Sequence, residues 1–247
     1  MENRYKVKVT YLFNSGFVVE TRRHLLVFDF YREAADRPAR KILRETDLPE
    51  FLQTDQMVYI FASHHHADHY NPAILSWEKF RTGLTYILSD DINLREKPKR
   101  YHLVAADRQL EIDTLQLKTI GSTDQGVAFL VKVDELSIFH AGDLNWWYWW
   151  DDRPAEIAEM ERRFKGEIAK ISGEHVDLAF FPVDPRLAGY FHYGGRYFME
   201  KVQPGIFFPM HFGLDYEIIE RFAYEVRDLP SAVMKIKESP EKFNSFE

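Results

Sequence analysis

Apolar and polar residues alternate over residues 6–13, the period of a half-buried strand. Asn14, Ser15 and Gly16 interrupt the run, a second strand is predicted over residues 16–20, and Thr21, Arg22 and Arg23 separate it from a third, apolar one at 24–30. Three short strands joined by turns predict a β-meander. Residues 57–62 (MVYIFA) are almost wholly apolar, as in a strand buried on both faces. The polar, His-rich stretch 63–70 follows directly. Asn71 and Pro72 then open a predicted helix running to Arg81, with Pro72 in a first-turn position that tolerates its missing N–H.

Further strands are predicted at 84–88, 101–105, 109–112, 115–120, 127–133, 136–140, 178–183 and 206–208. Helices are predicted at 154–171, 195–202 and 216–226, and the charged tail from Lys235 is expected to fray. This order suits two packed sheets with helices on their outer faces. No repeat or low-complexity linker divides the chain, so one domain over residues 1–247 is expected.

Composition narrows the chemistry. Of the 247 residues, 45% are hydrophobic and 29% charged, which suits a globular core rather than disorder. The net charge of −7, without a long basic run, argues against nucleic acid as a partner, because phosphate binding needs clustered Lys and Arg. With no cysteine, thiolate ligands are excluded, and any metal must sit on imidazole and carboxylate. Residues 1–11 lack the apolar core of a signal peptide, and no apolar run approaches a membrane span of about 18 residues. A cytoplasmic location, without membrane attachment, is therefore the expectation.

The densest chemistry is Ser63-His64-His65-His66-Ala67-Asp68-His69, placed immediately after the buried strand. His-x-His spacing sets His64 and His66 on one side of an extended loop, within reach of one ion. Asp68 and His69, at the turn into the next element, can reach a second ion nearby, while His65 points the other way. Such a set suits zinc, with manganese or iron as alternatives. Metal lowers the pKa of bound water to about 7, so a metal-bound hydroxide becomes available as nucleophile. Asp68 can orient that water or shuttle its proton, which makes it the candidate catalytic residue.

His64-x-His66-x-Asp68-His69 resembles the signature of the metallo-β-lactamase-fold hydrolases. The resemblance extends in element order over most of the chain. It implies an α+β, four-layer αββα sandwich. It also implies that Asp29 supports the metal loop through hydrogen bonds, that Asp143 of His140-Ala141-Gly142-Asp143 bridges two metals, and that His211 of Pro209-Met210-His211-Phe212 completes the second site. The implied metal set is His64, His66, Asp68, His69, Asp143 and His211, holding one or two divalent ions. HAGD and PMHFG most resemble the branch with ascorbate-6-phosphate lactonase-like enzymes and uncharacterised metal-dependent hydrolases.

One position departs from the family pattern. Ser122, in Gly121-Ser122-Thr123-Asp124-Gln125-Gly126, stands where a third-motif His is usual, and a neutral hydroxyl is a poor ligand beside imidazole. Asp124 is a substitute ligand or, more simply, a turn residue. The implied activity is metal-dependent hydrolysis of an ester, lactone or phosphodiester in a small-molecule substrate, and a homo-oligomer is a candidate assembly. Two alternatives stand beside it: a nucleic acid processing hydrolase of the same fold, and a non-catalytic metal-binding or ligand-sensing relative. The aromatic run 146–150 either walls a pocket or fills the core. His192 and Arg196, in the stretch 190–196, are candidates for binding an anion.

Overall fold

The computed structural model describes residues 7–36 and 48–244. Lys6 of the first predicted strand, and residues 1–6 of the segment tested for a signal peptide, lie outside them. Backbone contacts divide the chain into two compact units, residues 1–104 with 238–247, and residues 105–237.

The first unit is a seven-stranded mixed sheet. Its strands are β1 (Lys8–Tyr11), β2 (Phe17–Glu20), β3 (His24–Phe28), β4 (Met57–Ala62), β5 (Leu84–Ser89), β6 (Tyr101–Val104) and β14 (Glu241–Asn244). The predicted meander β1-β2-β3 is antiparallel, and β3 to β6 run parallel. Strand β4 pairs on both sides and is buried after its first residue, which explains its apolar run. In register across β3 and β4, Phe28 and Phe61 stack at 4.6 Å. Trp77 is fully buried against Phe30 in the core on one face.

Two expectations are corrected in this unit. Over 71–81 the chain forms 3-10 turns, Pro72–Lys79, rather than an α-helix. Ser76 Oγ and Tyr86 OH donate to the carbonyls of Ala73 and Ile74, and such bonds compete with the i→i−4 ladder. The tail does not fray at 241–244: β14 pairs antiparallel with β1 and covers an edge left open by the meander.

The second unit is also a seven-stranded mixed sheet: β7 (Gln109–Ile112), β8 (Leu115–Gly121), β9 (Val127–Val133), β10 (Leu136–His140), β11 (Leu178–Pro182), β12 (Ile206–Met210) and β13 (Ala232–Val233). Strands β7 to β10 are antiparallel and β10 to β13 parallel. Its helices are α1 (Pro154–Ala169), α2 (Tyr193–Val202) and α3 (Glu217–Glu225). Much of the aromatic surplus is used here. Phe198 of α2 stacks on Phe139 and Phe181, and Phe222 of α3 stacks on Phe207. The Gly195 Cα sits so close to the Phe222 ring that a Cβ would lie 2.8 Å from it. Among the described residues no helix is long and apolar enough to cross a membrane.

Candidate metal centre

In each unit the chemistry collects where parallel strands end, the edge at which loops can converge side chains. In the first unit, Asp29 follows β3, the His-rich loop follows β4, and Asp91 follows β5. Asp29 adopts a left-handed backbone, φ 44°, which turns its carboxylate under the loop. It is fully buried and accepts from Ser63 N and Ser63 Oγ, each at 2.7 Å, and from His69 Nδ1 at 2.7 Å.

These bonds settle the tautomers. His69 must carry its proton on Nδ1 to donate to the carboxylate, so its acceptor lone pair is at Nε2. The Ser63 hydroxyl has one proton, which goes to Asp29. Its oxygen, 3.0 Å from His64 Nδ1, therefore accepts, and the His64 lone pair is also at Nε2. One buried carboxylate thus sets two imidazoles, one directly and one through a hydroxyl, as outer partners of metal ligands do.

The remaining groups in the loop are placed by their own contacts. His64 Nε2 lies 3.0 Å from His66 Nδ1. Asp68 Oδ2 lies 3.5 Å from His69 Nε2 and accepts from Asn14 Nδ2 at 3.1 Å. The backbone N and Nδ1 of His65 both reach Asp91 Oδ2, and its ring stands edge-on to that of His66 at 4.9 Å. Burial pushes the Asp91 carboxyl up, but hydrogen bonds from His65 and Ser89 outweigh it and hold the group below its ordinary value.

In the second unit, Asp143 follows β10, Asp184 follows β11 and His211 follows β12. His211 is left-handed, φ 64°, a costly conformation for a non-glycine residue. Its Nδ1 donates to Asp184 Oδ2 at 2.9 Å, and its Nε2 lies 3.5 Å from Asp143 Oδ1. Burial raises the Asp184 carboxyl, yet the bonds from His211 and Arg186 leave it below the usual range. Trp147 Nε1 donates to the Asp143 carbonyl at 3.0 Å.

The first unit therefore brings His64, His66, Asp68 and His69 together, and the second brings Asp143 and His211 together. These groups fit a metal. Two tetrahedral ligands at about 2.0–2.1 Å from zinc stand about 3.3 Å apart, and the three pairs stand 3.0, 3.5 and 3.5 Å apart. Their donors are all nitrogen or carboxylate oxygen.

Ser122 is half-buried, and its Oγ accepts from the backbone N of the exposed Asp124 at 3.1 Å, a local turn. Thr123 is the residue that holds this loop, exchanging hydrogen bonds with both backbone groups of Asn145. The aromatic run divides its roles. Trp146 packs on Phe164 and Tyr193, Trp147 is buried with its edge against His211, Tyr148 stacks on Tyr190 at 4.0 Å, and Trp150 is exposed.

The anion role considered for Arg196 is corrected. Its guanidinium is held by both oxygens of Asp228 and by Glu200. Asn14, Asp91 and Asp184 were not singled out in the sequence. Asp184 had a usable signal, since a carboxylate just past an apolar strand stands where Asp29 and Asp143 also stand.

No protein-family model matches the sequence, and no curated protein matches it. Solved structures do match over the whole chain. Igni18, a metallo hydrolase from the hyperthermophilic archaeon Ignicoccus hospitalis, superposes with a TM-score of 0.66 at 17% identity, covering 98% of this chain and 100% of that one. The metallo-β-lactamase fold protein YhfI from Bacillus subtilis gives 0.62 at 13% identity, covering 98% and 100%. CmlA, a diiron β-hydroxylase from Streptomyces venezuelae, gives 0.61 at 12% identity, covering 99% of this chain and 55% of that one. The chain has the metallo-β-lactamase fold that the resemblance implied.

Proposed function

We propose that this protein is a metal-dependent hydrolase in which His64, His66, Asp68, His69, Asp143 and His211 hold one or two divalent ions. The observation that carries the reading is the pair of buried carboxylates, Asp29 and Asp184, each fixing an imidazole by its Nδ1 so that Nε2 is the ligand atom. Similarity in fold to Igni18, a metallo hydrolase, supports the same reading.

Ions bound there would supply Lewis acidity, lowering the pKa of water and taking up negative charge as a substrate oxygen develops it. The chain's own part is orientation. Asp68 is partly exposed and held by Asn14, so its carboxylate can align a water molecule and take its proton. Zinc is the metal we favour from the donor set, and the diiron centre of CmlA makes iron the first alternative to test. A small ester, lactone or phosphodiester is the substrate class, consistent with a net charge of −7 and the lack of a long basic run.

Elemental analysis of purified protein, followed by a screen of lactones, phosphodiesters and thioesters with zinc, manganese and iron, tests this. We expect one or two ions per chain and metal-dependent turnover. Asp143→Asn should lower metal content and abolish turnover while the protein stays folded. Full metal and full activity in that variant would remove Asp143 from the ligand set, and a wild-type protein that binds none of the three metals would sink the proposal.

A further inference from the structure

Arg186 stands outside the proposed ligand set, yet it closes a ring of contacts around His211. The Asp184 carboxylate is buried, with 1% of its side chain exposed, while Arg186 is 62% exposed. Asp184 Oδ1 accepts from the backbone N of Arg186 at 2.8 Å and from its Nε at 3.0 Å. Asp184 Oδ2 accepts from Arg186 Nε at 2.9 Å, from Nη2 at 2.5 Å, and from His211 Nδ1 at 2.9 Å. On its other side the guanidinium stands 5.9 Å from the Trp149 ring. Trp149 stacks on Trp147 with the rings 6° from parallel, and Trp147 sets its ring edge-on to His211 at 5.7 Å. The path from His211 through Asp184, Arg186, Trp149 and Trp147 returns to His211.

A carboxylate with a single hydrogen bond to an imidazole can rotate and carry the ring with it. A carboxylate gripped by a planar fork and a backbone N–H cannot, because both oxygens and their plane are fixed. The imidazole then has one orientation, and the facing Trp147 limits its tilt. We propose that Arg186 is a positioning residue for the metal centre: it acts through Asp184 to fix the ring of His211, and Trp149 and Trp147 complete the bracket. This rests on the proposed metal-binding reading of His211, and it assigns a purpose to part of the aromatic run.

Cobalt titration of the intact protein, followed by the visible spectrum of bound cobalt, reads the effect on ligand geometry. Arg186→Ala should weaken cobalt binding about tenfold, the lower end of the range for outer partners of metal ligands, and should shift the spectrum. Arg186→Lys keeps the charge but not the fork, and should recover only part of the affinity. Trp149→Leu leaves Asp184 and its hydrogen bonds in place, and should move the spectrum the same way by less. It serves as the test if Arg186→Ala does not fold. Wild-type affinity and spectrum in Arg186→Ala, or full recovery in Arg186→Lys, would overturn the inference. If the wild-type protein binds no cobalt, the metal-site reading fails separately. Nitrogen NMR of metal-free protein then decides the inference: the His211 Nδ1–H should be protected in wild type and lost to exchange in Arg186→Ala, and equal protection overturns it.

Discussion

Asp29 and His69 meet through a 2.7 Å hydrogen bond between two side chains that are both completely buried. The same carboxylate holds Ser63 by its backbone and its hydroxyl, so the loop after β4 is anchored by a group outside the proposed ligand set. Replacing Asp29 with Asn keeps the size and tolerates the left-handed backbone, but it removes the charge that strengthens three hydrogen bonds. Asp29→Asn should cost about 2–3 kcal/mol in stability, while the folded fraction still binds metal. Urea denaturation and metal analysis of the same sample check this. An unchanged midpoint would mean the loop holds its shape without Asp29.

Ser122 offers a gain rather than a loss. Its hydroxyl occupies a local turn, and no imidazole stands at that position in the loop. Ser122→His should raise zinc affinity by about tenfold or more if the ring can be oriented there. A titration with no gain would mean that another group already serves that ion.

Gly194 faces the loop that carries Asp143. A Cβ there would lie 1.9 Å from Asn145 Oδ1 and 2.9 Å from Trp146 N, both held by the loop's own hydrogen bonds. Gly194→Ala should therefore destabilise by about 1–3 kcal/mol and lower metal content, because the displaced residues lie just past Asp143. Thermal melting with metal analysis would show it, and a wild-type Tm would mean that the loop gives way freely.

Arg196 and Asp228 give a pH dependence of known sign. The guanidinium beside Asp228 lowers its carboxyl from 3.8 to about 2. A carboxylate depressed on folding contributes stability that is present above its unfolded pKa and lost as pH falls toward the folded one. The Tm difference between wild type and Asp228→Asn should thus be steady above about pH 4 and close between about pH 4 and 2. It should also shrink in high salt, since the pair is exposed. A gap that persists at pH 2 would show that Asp228 acts through something other than its charge.

The sequence by itself determined strands β1 to β12 and the main cluster of chemistry, because both are local. Burial on two faces demands an apolar run such as 57–62, and a dense His and Asp loop directly after it has few other uses. What the sequence could not decide is non-local. Nothing in the charged tail foretold that Glu241–Asn244 would pair with Lys8–Tyr11, since an edge strand is chosen by the edge that needs covering. The helix expected after Asn71 is a 3-10 helix whose Ile74 carbonyl accepts from Tyr86, a contact to a neighbouring strand that local periodicity does not show. The outer partners of the site, Asn14, Asp91 and Asp184, are separated from the groups they hold by 54, 26 and 27 positions. A hydrogen bond depends on distance in space, and only the pairing of the strands, antiparallel from β1 to β3 and parallel from β3 to β5 and from β11 to β12, brings such distant residues to the same edge.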